Sequence, residues 1–421
     1  MRRSTISLTR LAGAVAGAAL AAATLVAVVA APARAATLTQ VTGFGTNPGN
    51  LAMYAYRPDG LPANAPAVVL LHGCTQNAAG YVANSGWQKY ADQWKFALIV
   101  PQQSTANQAL TCFNWFTEGD IARGRGEAAS IAQMVGYAKT TYGLDGSRIA
   151  ISGLSAGGAM VSVMLAAYPE LFAAGSVIAG VPYRCSPPAS TSVCQYSGVD
   201  KTPAAWGDLV RAAYPGYAGR RPRVAIWHGT ADSTVVPANA VESRDQWTDV
   251  LGVAQTPTGT ASLPAGTSLE VYGDDAVRLY RVAGMGHGTP VDPGAGADQC
   301  GTAAAYFLDT ICSTYRDALF FGLDGGGASP SPTPTATASP TPTPTASPTA
   351  SPTVSPTASP TPTASPTCVT ASNYAHVAAG RAYQSGGYAY ALGSNQRLGL
   401  YNVFYVSTLK QTAPGYWVLG C

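Results

Sequence analysis

The sequence predicts an α/β fold in three parts: a mainly parallel sheet covered by helices, a disordered Pro/Thr-rich linker, and a small β-rich C-terminal unit. Three observations carry this. Between residues 36 and 327 short apolar runs alternate with segments of helical periodicity, the pattern of strands buried on both faces. Residues 328–367 are almost wholly Pro, Thr, Ser and Ala, with no charged or aromatic side chain, so they have nothing with which to build a core. Residues 368–421 are rich in tyrosine and contain no acidic residue.

In chain order, residues 1–35 come first as an expected secretory signal peptide. Arg2, Arg3 and Arg10 precede an apolar run from Leu11 to Ala31, and Ala33-Arg34-Ala35 supplies the small residues of a cleavage site. The run is long enough (~20 residues) to span a bilayer, so an uncleaved anchor is the competing reading. Cleavage leaves a secreted, extracellular chain with no membrane contact. Buried strands are expected at Ala67–Leu71, Phe96–Val100, Arg148–Ser152, Arg223–Trp227 and Val277–Val282. Helices are expected at Glu127–Tyr142, Ala156–Tyr168, Ala238–Leu251 and Thr302–Phe320. Fully stretched, the ~40-residue linker reaches on the order of 120 Å at ~3.1 Å per residue.

The chemistry sits between the third of those strands and the helix after it. Gly153-Leu154-Ser155-Ala156-Gly157 is a G-x-S-x-G sequence, weak evidence alone in a chain with 46 glycines. Its strand–turn–helix context makes it a nucleophile elbow, with Ser155 as nucleophile in an α/β-hydrolase arrangement. The base must follow the acid in that order. Of the four histidines, His287 lies in a glycine-rich loop directly after a strand and fits. His228 precedes the expected acid and reads as structural support; His376 lies beyond the linker. Asp232, in the loop past the Arg223–Trp227 strand, is the expected acid, ahead of Asp274, Asp275 and Asp292. The oxyanion needs two backbone N–H donors. Ala156, after the nucleophile, supplies one. Cys74, in the loop after Ala67–Leu71, supplies the other, with His72 shaping that loop.

Eight cysteines, an even number, fit an oxidising compartment. Counts do not give connectivity, but spacing favours Cys74 with Cys112, Cys185 with Cys194, Cys300 with Cys312, and Cys368 with Cys421. Metal ligation is disfavoured because no C-x-x-C pair or histidine cluster is present. The formal charge of +3 falls to −1 once the arginines at 2, 3, 10 and 34 are discounted, which leaves no footprint for nucleic acid. No metal and no cofactor is expected, and the chain reads as a monomer.

Four segments together resemble the extracellular poly(3-hydroxybutyrate) depolymerase family of esterases. They are His72-Gly73-Cys74-Thr75-Gln76, Cys112-Phe113-Asn114-Trp115-Phe116, Gly153 to Met160, and Gly284-Met285-Gly286-His287. That group is similar to feruloyl and acetylxylan esterases. The likeness spans most of Thr37 to Phe321. It implies Ser155, Asp232 and His287 as a triad, His72 and Cys74 in the oxyanion loop, and Trp115 in the substrate cleft. Thr370 to Val377, Gly380 to Tyr383, Gly393 to Gln396 and Gly399 to Asn402 look like the polymer-binding domain of such enzymes. The implied partner is an insoluble polyester granule. Residues 368–421 support this independently, since their tyrosines and Trp417 offer contact area to a neutral, semi-apolar surface. The alternation Tyr401, Val403, Tyr405 implies strands with an aromatic face. The competing readings are a feruloyl or acetylxylan esterase with a carbohydrate-binding tail, and a non-enzymatic adhesin.

Overall fold

A computed structural model describes residues 1, 36–187, 190–325, 368–385, 388–400 and 406–420. The expected signal segment, the 328–367 linker, Cys421 and the Tyr401–Tyr405 alternation lie outside the described residues.

The larger unit is built on a ten-stranded sheet. Its strands are β1 (Thr39–Val41), β2 (Ala52–Tyr56), β3 (Ala67–Leu71), β4 (Ala97–Gln102) and β5 (Ile149–Leu154). They continue with β6 (Ala174–Ile178), β7 (Arg223–Gly229), β8 (Gly259–Leu263), β9 (Thr267–Tyr272) and β10 (Val277–Val282). The spatial order is β1-β2-β4-β3-β5-β6-β7-β10-β9-β8. From β4 through β10 every neighbouring pair is parallel, and antiparallel strands occupy only the two edges. Two short strands, β11 (Thr289–Val291) and β12 (Phe307–Asp309), pair in parallel apart from this sheet.

The apolar runs do not alternate with polar residues because both faces are covered. On β3, Ala67, Val69 and Leu71 enter one core cluster while Val68 and Leu70 enter the other. The first face is closed by α4 (Gly126–Tyr142), α5 (Ala156–Ala167), α6 (Pro203–Ala213) and α7 (Ala238–Leu251), whose Met134, Met160, Trp206 and Trp247 pack there. The second is closed by α1 (Ala78–Ser85), α2 (Trp87–Trp94) and α8 (Ser313–Phe320), through Tyr81, Trp87 and Phe320. A one-turn helix, α3 (Glu118–Ile121), precedes α4. Among the described residues no helix is long and apolar enough to cross a membrane.

The expected helix at Thr302–Phe320 is shorter in the structure. Only Ser313–Phe320 is helical. The Cys300–Cys312 disulfide and the positive φ of Tyr306 hold the preceding segment in a loop, where β12 adds to β11.

The C-terminal unit comprises β13 (Cys368–Ser372), α9 (Asn373–Ala378), β14 (Ala382–Ser385), β15 (Tyr388–Ala391), β16 (Arg397–Leu400), β17 (Val406–Ala413) and β18 (Tyr416–Leu419). They form two antiparallel sheets, β13-β17-β18 and β14-β15-β16. Its core is small: Ala391, Leu409 and Trp417 are buried, with Val369 and Leu398 packed against them. So small a unit gains from a covalent closure, and Cys368 is disulfide-bonded.

Candidate active site

β3 and β5 are neighbours, as are β7 and β10, with β6 between the two pairs, so their C-terminal ends share one edge of the sheet and each leads into one functional loop. Ligands of open α/β sheets bind there. Ser155 follows β5 with φ 57° and ψ −118°, a conformation that aims its side chain off the strand end. Its N–H donates to the Ile178 carbonyl at 2.9 Å, which ties the turn to β6. The neighbouring glycines are required by space. A Cβ on Gly153 would come within 2.7 Å of the Gly157 backbone, and one on Gly157 would strike the Leu71 carbonyl.

The structure brings Ser155, His287 and Asp232 into one hydrogen-bonded line. Ser155 Oγ lies 2.8 Å from His287 Nε2, and His287 Nδ1 lies 2.7 Å from Asp232 Oδ2. Asp232 accepts only, so His287 carries its proton on Nδ1 and presents a lone pair to the serine hydroxyl. The Asp232 side chain is fully buried. Burial by itself raises its carboxyl, but hydrogen bonds from His228 and His287 outweigh that and hold it well below the usual carboxylate range. Its other oxygen accepts the Thr234 and Val235 backbone N–H groups, both at 2.9 Å. His228 Nε2 is 2.7 Å from the Val235 carbonyl and 3.4 Å from Asp232 Oδ2, so it braces the acid loop.

The loop after β3 reaches the elbow from the other side. The Gly73 N–H is taken by Gln76 Oε1, the Thr75 N–H by the Leu110 carbonyl and the Gln76 N–H by the Gly73 carbonyl. Among the described residues, the N–H groups of Cys74 and Ala156 have no recorded acceptor, which leaves both available to an oxyanion. His72 is buried, and burial lowers its pKa to about 4. The neutral ring accepts the Gln103 N–H on Nε2 at 3.1 Å and donates from Nδ1 to the Gly73 carbonyl at 2.8 Å. A disulfide joins Cys74 to Cys112. The pairs Cys185–Cys194 and Cys300–Cys312 also match expectation.

A family model described as Esterase PHB depolymerase matches residues 50–270. The chain belongs to this family. It is a carboxylic ester hydrolase. Poly(3-hydroxyalkanoate) depolymerase C of Paucimonas lemoignei is 52% identical over 294 residues, covering 68% of this chain and 70% of that one. Feruloyl esterase B of Talaromyces funiculosus is 36% identical over 267 residues, covering 61% of this chain and 75% of that one. The structure of an acetyl xylan esterase from Aspergillus awamori aligns with a TM-score of 0.59 at 32% identity, over 68% of this chain and 99% of the other.

Trp115 does not sit open in this esterase as a cleft residue would. It is 5% exposed and packs edge-on against Phe116 at 5.5 Å between centroids. Sequence reasoning passed over Tyr306, whose exposed ring lies edge-on to His287 at 6.2 Å. It also passed over the buried Gln103 and Glu127 and the half-buried Asn114, a hydrogen-bonded polar set behind the Cys74–Cys112 loop. Asp275 pairs with Arg223 and Arg278, and Asp292 lies against Cys300.

Proposed function

We propose that the chain is a secreted polyester depolymerase that cleaves ester bonds of poly(3-hydroxybutyrate)-type polymers with Ser155 as nucleophile, His287 as base and Asp232 as its orienting acid. The observation that carries this is the hydrogen-bonded line from Ser155 Oγ through His287 to Asp232, which starts at the residue that precedes Ala156 and its unengaged backbone N–H. His287 takes the Ser155 proton as Oγ attacks the carbonyl, and the Cys74 and Ala156 amides receive the oxyanion. Collapse expels the leaving hydroxyl, protonated by His287, and leaves an acyl-serine. Water, deprotonated by the same imidazole, then releases the acid.

The substrate class rests on the depolymerase relative and on residues 368–421. There Tyr383, Leu392, Tyr416 and Leu419 are exposed around a small core. Residues 1–35 direct export, three disulfides fit the compartment it leads to, and residues 328–367 tether hydrolysis to adsorption. The feruloyl esterase relative and the acetyl xylan esterase fold favour a second reading, a polysaccharide esterase with a carbohydrate-binding tail. Clearing of a polyhydroxybutyrate suspension against ferulate release from arabinoxylan separates the two. Ser155→Ala is expected to remove ester hydrolysis while granule adsorption persists, since losing a triad nucleophile costs several orders of magnitude. Residual activity above ~1% would overturn the assignment.

A further inference from the structure

Behind the oxyanion loop lies a buried carboxyl that the proposed chemistry does not use. Glu127 stands in the first turn of α4 and is 1% exposed. Its Oε2 accepts the Asn114 backbone N–H at 2.8 Å. Its Oε1 accepts Asn114 Nδ2 at 2.8 Å and Gln103 Nε2. Gln103 Nε2 also donates to the Cys112 carbonyl at 3.1 Å, and the Gln103 backbone N–H donates to His72 Nε2. His72 then holds the Gly73 carbonyl. From one carboxylate, hydrogen bonds therefore run to both sides of the Cys74–Cys112 link. One branch passes through Asn114 to the segment beside Cys112. The other passes through Gln103 and His72 to the peptide that joins Gly73 to Cys74.

A carboxylate is costly to bury and is retained only where donors compensate it. Here the donors are all neutral amides. Asp120 of α3 stands beside Glu127, its Oδ1 accepting the Glu127 N–H at 3.1 Å. Burial raises the Glu127 pKa to about 7, against the pull of Asn114 and Gln103. The hydrophobic wall gains nothing from such a group that an apolar side chain would not supply. What it gains is direction: a fully satisfied buried network fixes one arrangement of the loops that it joins.

We propose that Glu127 is a positioning residue for ester hydrolysis. Through Asn114, Gln103 and His72 its carboxylate sets the place of the loop that presents the Cys74 N–H to the oxyanion. This rests on the Ser155 reading given above, and it adds a group that touches neither substrate nor triad. Its effect belongs to the transition state, where the oxyanion forms, rather than to the ground-state ester.

The test uses the full chain. Glu127→Gln keeps size but turns one acceptor oxygen into a donor that faces the amides it should receive. With p-nitrophenyl butyrate we expect kcat to fall about 10- to 100-fold while KM stays within about twofold, the penalty of misplacing a catalytic group by up to about 1 Å. Affinity for a trifluoromethyl ketone, whose serine adduct carries the same oxyanion, should fall by a similar factor, and Glu127→Asp should recover part of both. A folded Glu127→Gln variant with wild-type kcat overturns the proposal. So does a loss of activity that only follows the folded fraction measured by circular dichroism. If Glu127→Gln does not fold, Asn114→Ser removes one donor of the same network, and a smaller kcat-specific loss is required of it. Ser155→Ala is run in parallel, because activity in that variant sinks the nucleophile assignment rather than this inference.

Discussion

Ser155 sits at φ 57° and ψ −118°, a region that L-residues occupy only when their surroundings impose it. The cost is on the order of 1–3 kcal/mol. It is sustained by the bond to Ile178 and by glycines that let β3, β5 and α5 close on one another. A buried acid on the opposite face shows a different balance. Asp317 is 0% exposed, accepts Trp227 Nε1 at 2.8 Å, and is pushed by burial from 3.8 up to about 7. Between those two values the folded chain holds a proton that the unfolded chain has lost. This group therefore lowers stability as pH rises from about 4 to 7, with no further change above. Asp317→Asn keeps an acceptor for Trp227 and removes the titration. Its Tm relative to wild type should shift in the variant's favour between pH 4 and pH 8, and a difference independent of pH would refute the burial argument. At this scale chemistry decides what a sequence reveals. Serine, histidine and aspartate after strand ends have few alternative uses, so the proposed relay is legible. Glu127 is not, because an acid in the first turn of a helix looks like an ordinary partner of the helix dipole. Its burial depends on the Cys112–Phe116 segment folding over it.

Among the elements, the strands legible in the sequence are those with β-branched and leucine runs: β3, β4, β5, β7 and β10. β6 reads Ala-Gly-Ser-Val-Ile and carries little strand propensity of its own. It is a strand because β5 and β7 offer it ladders on both sides, and its small residues admit α5: a Cβ on Gly175 would come within 2.6 Å of Leu165. For α6 a start signal was present, since Thr202 Oγ1 caps the Ala205 N–H and Pro203 opens the first turn. The Thr302–Phe320 region misleads because helical periodicity there is overruled by a disulfide. A second disulfide yields a prediction. Cys74–Cys112 spans 38 residues, and chain-entropy reasoning gives such a closure about 4 kcal/mol. It also fixes the loop that carries the proposed oxyanion donor. Replacing both cysteines by serine should lower kcat on a soluble ester about tenfold at temperatures where circular dichroism still reports a folded domain. If activity and ellipticity are instead lost together on heating, the link serves stability alone.

At the scale of the whole molecule, composition alone separates three regions, and each has different physics. Residues 36–327 bury two core layers around a sheet and hold every residue of the proposed relay. Residues 328–367 carry no charge, while 368–421 carry basic residues and no acid. In the last region the rings divide their work. Trp417 is buried, and Tyr383 stacks on Tyr390 at 5.5 Å with part of its face exposed. Tyr416, Leu392 and Leu419 are exposed. Ending the chain after Gly327 should therefore leave hydrolysis of p-nitrophenyl butyrate within about twofold of the full protein, because a separate unit behaves additively. The same truncation should sharply slow clearing of solid polyester at low enzyme concentration, where adsorption limits the rate. At high concentration the two forms should converge, since coverage then no longer depends on tethering. Residues 368–421 fused to a carrier should bind polyester granules by themselves. That binding should persist in ~1 M salt, where the ~3 Å Debye length screens ionic contacts but leaves apolar and aromatic ones intact. Binding that collapses with salt would point to Arg381, Arg397 and Lys410 instead of the exposed rings. Retention on xylan or cellulose, with none on polyester, would transfer the enzyme to the polysaccharide esterases.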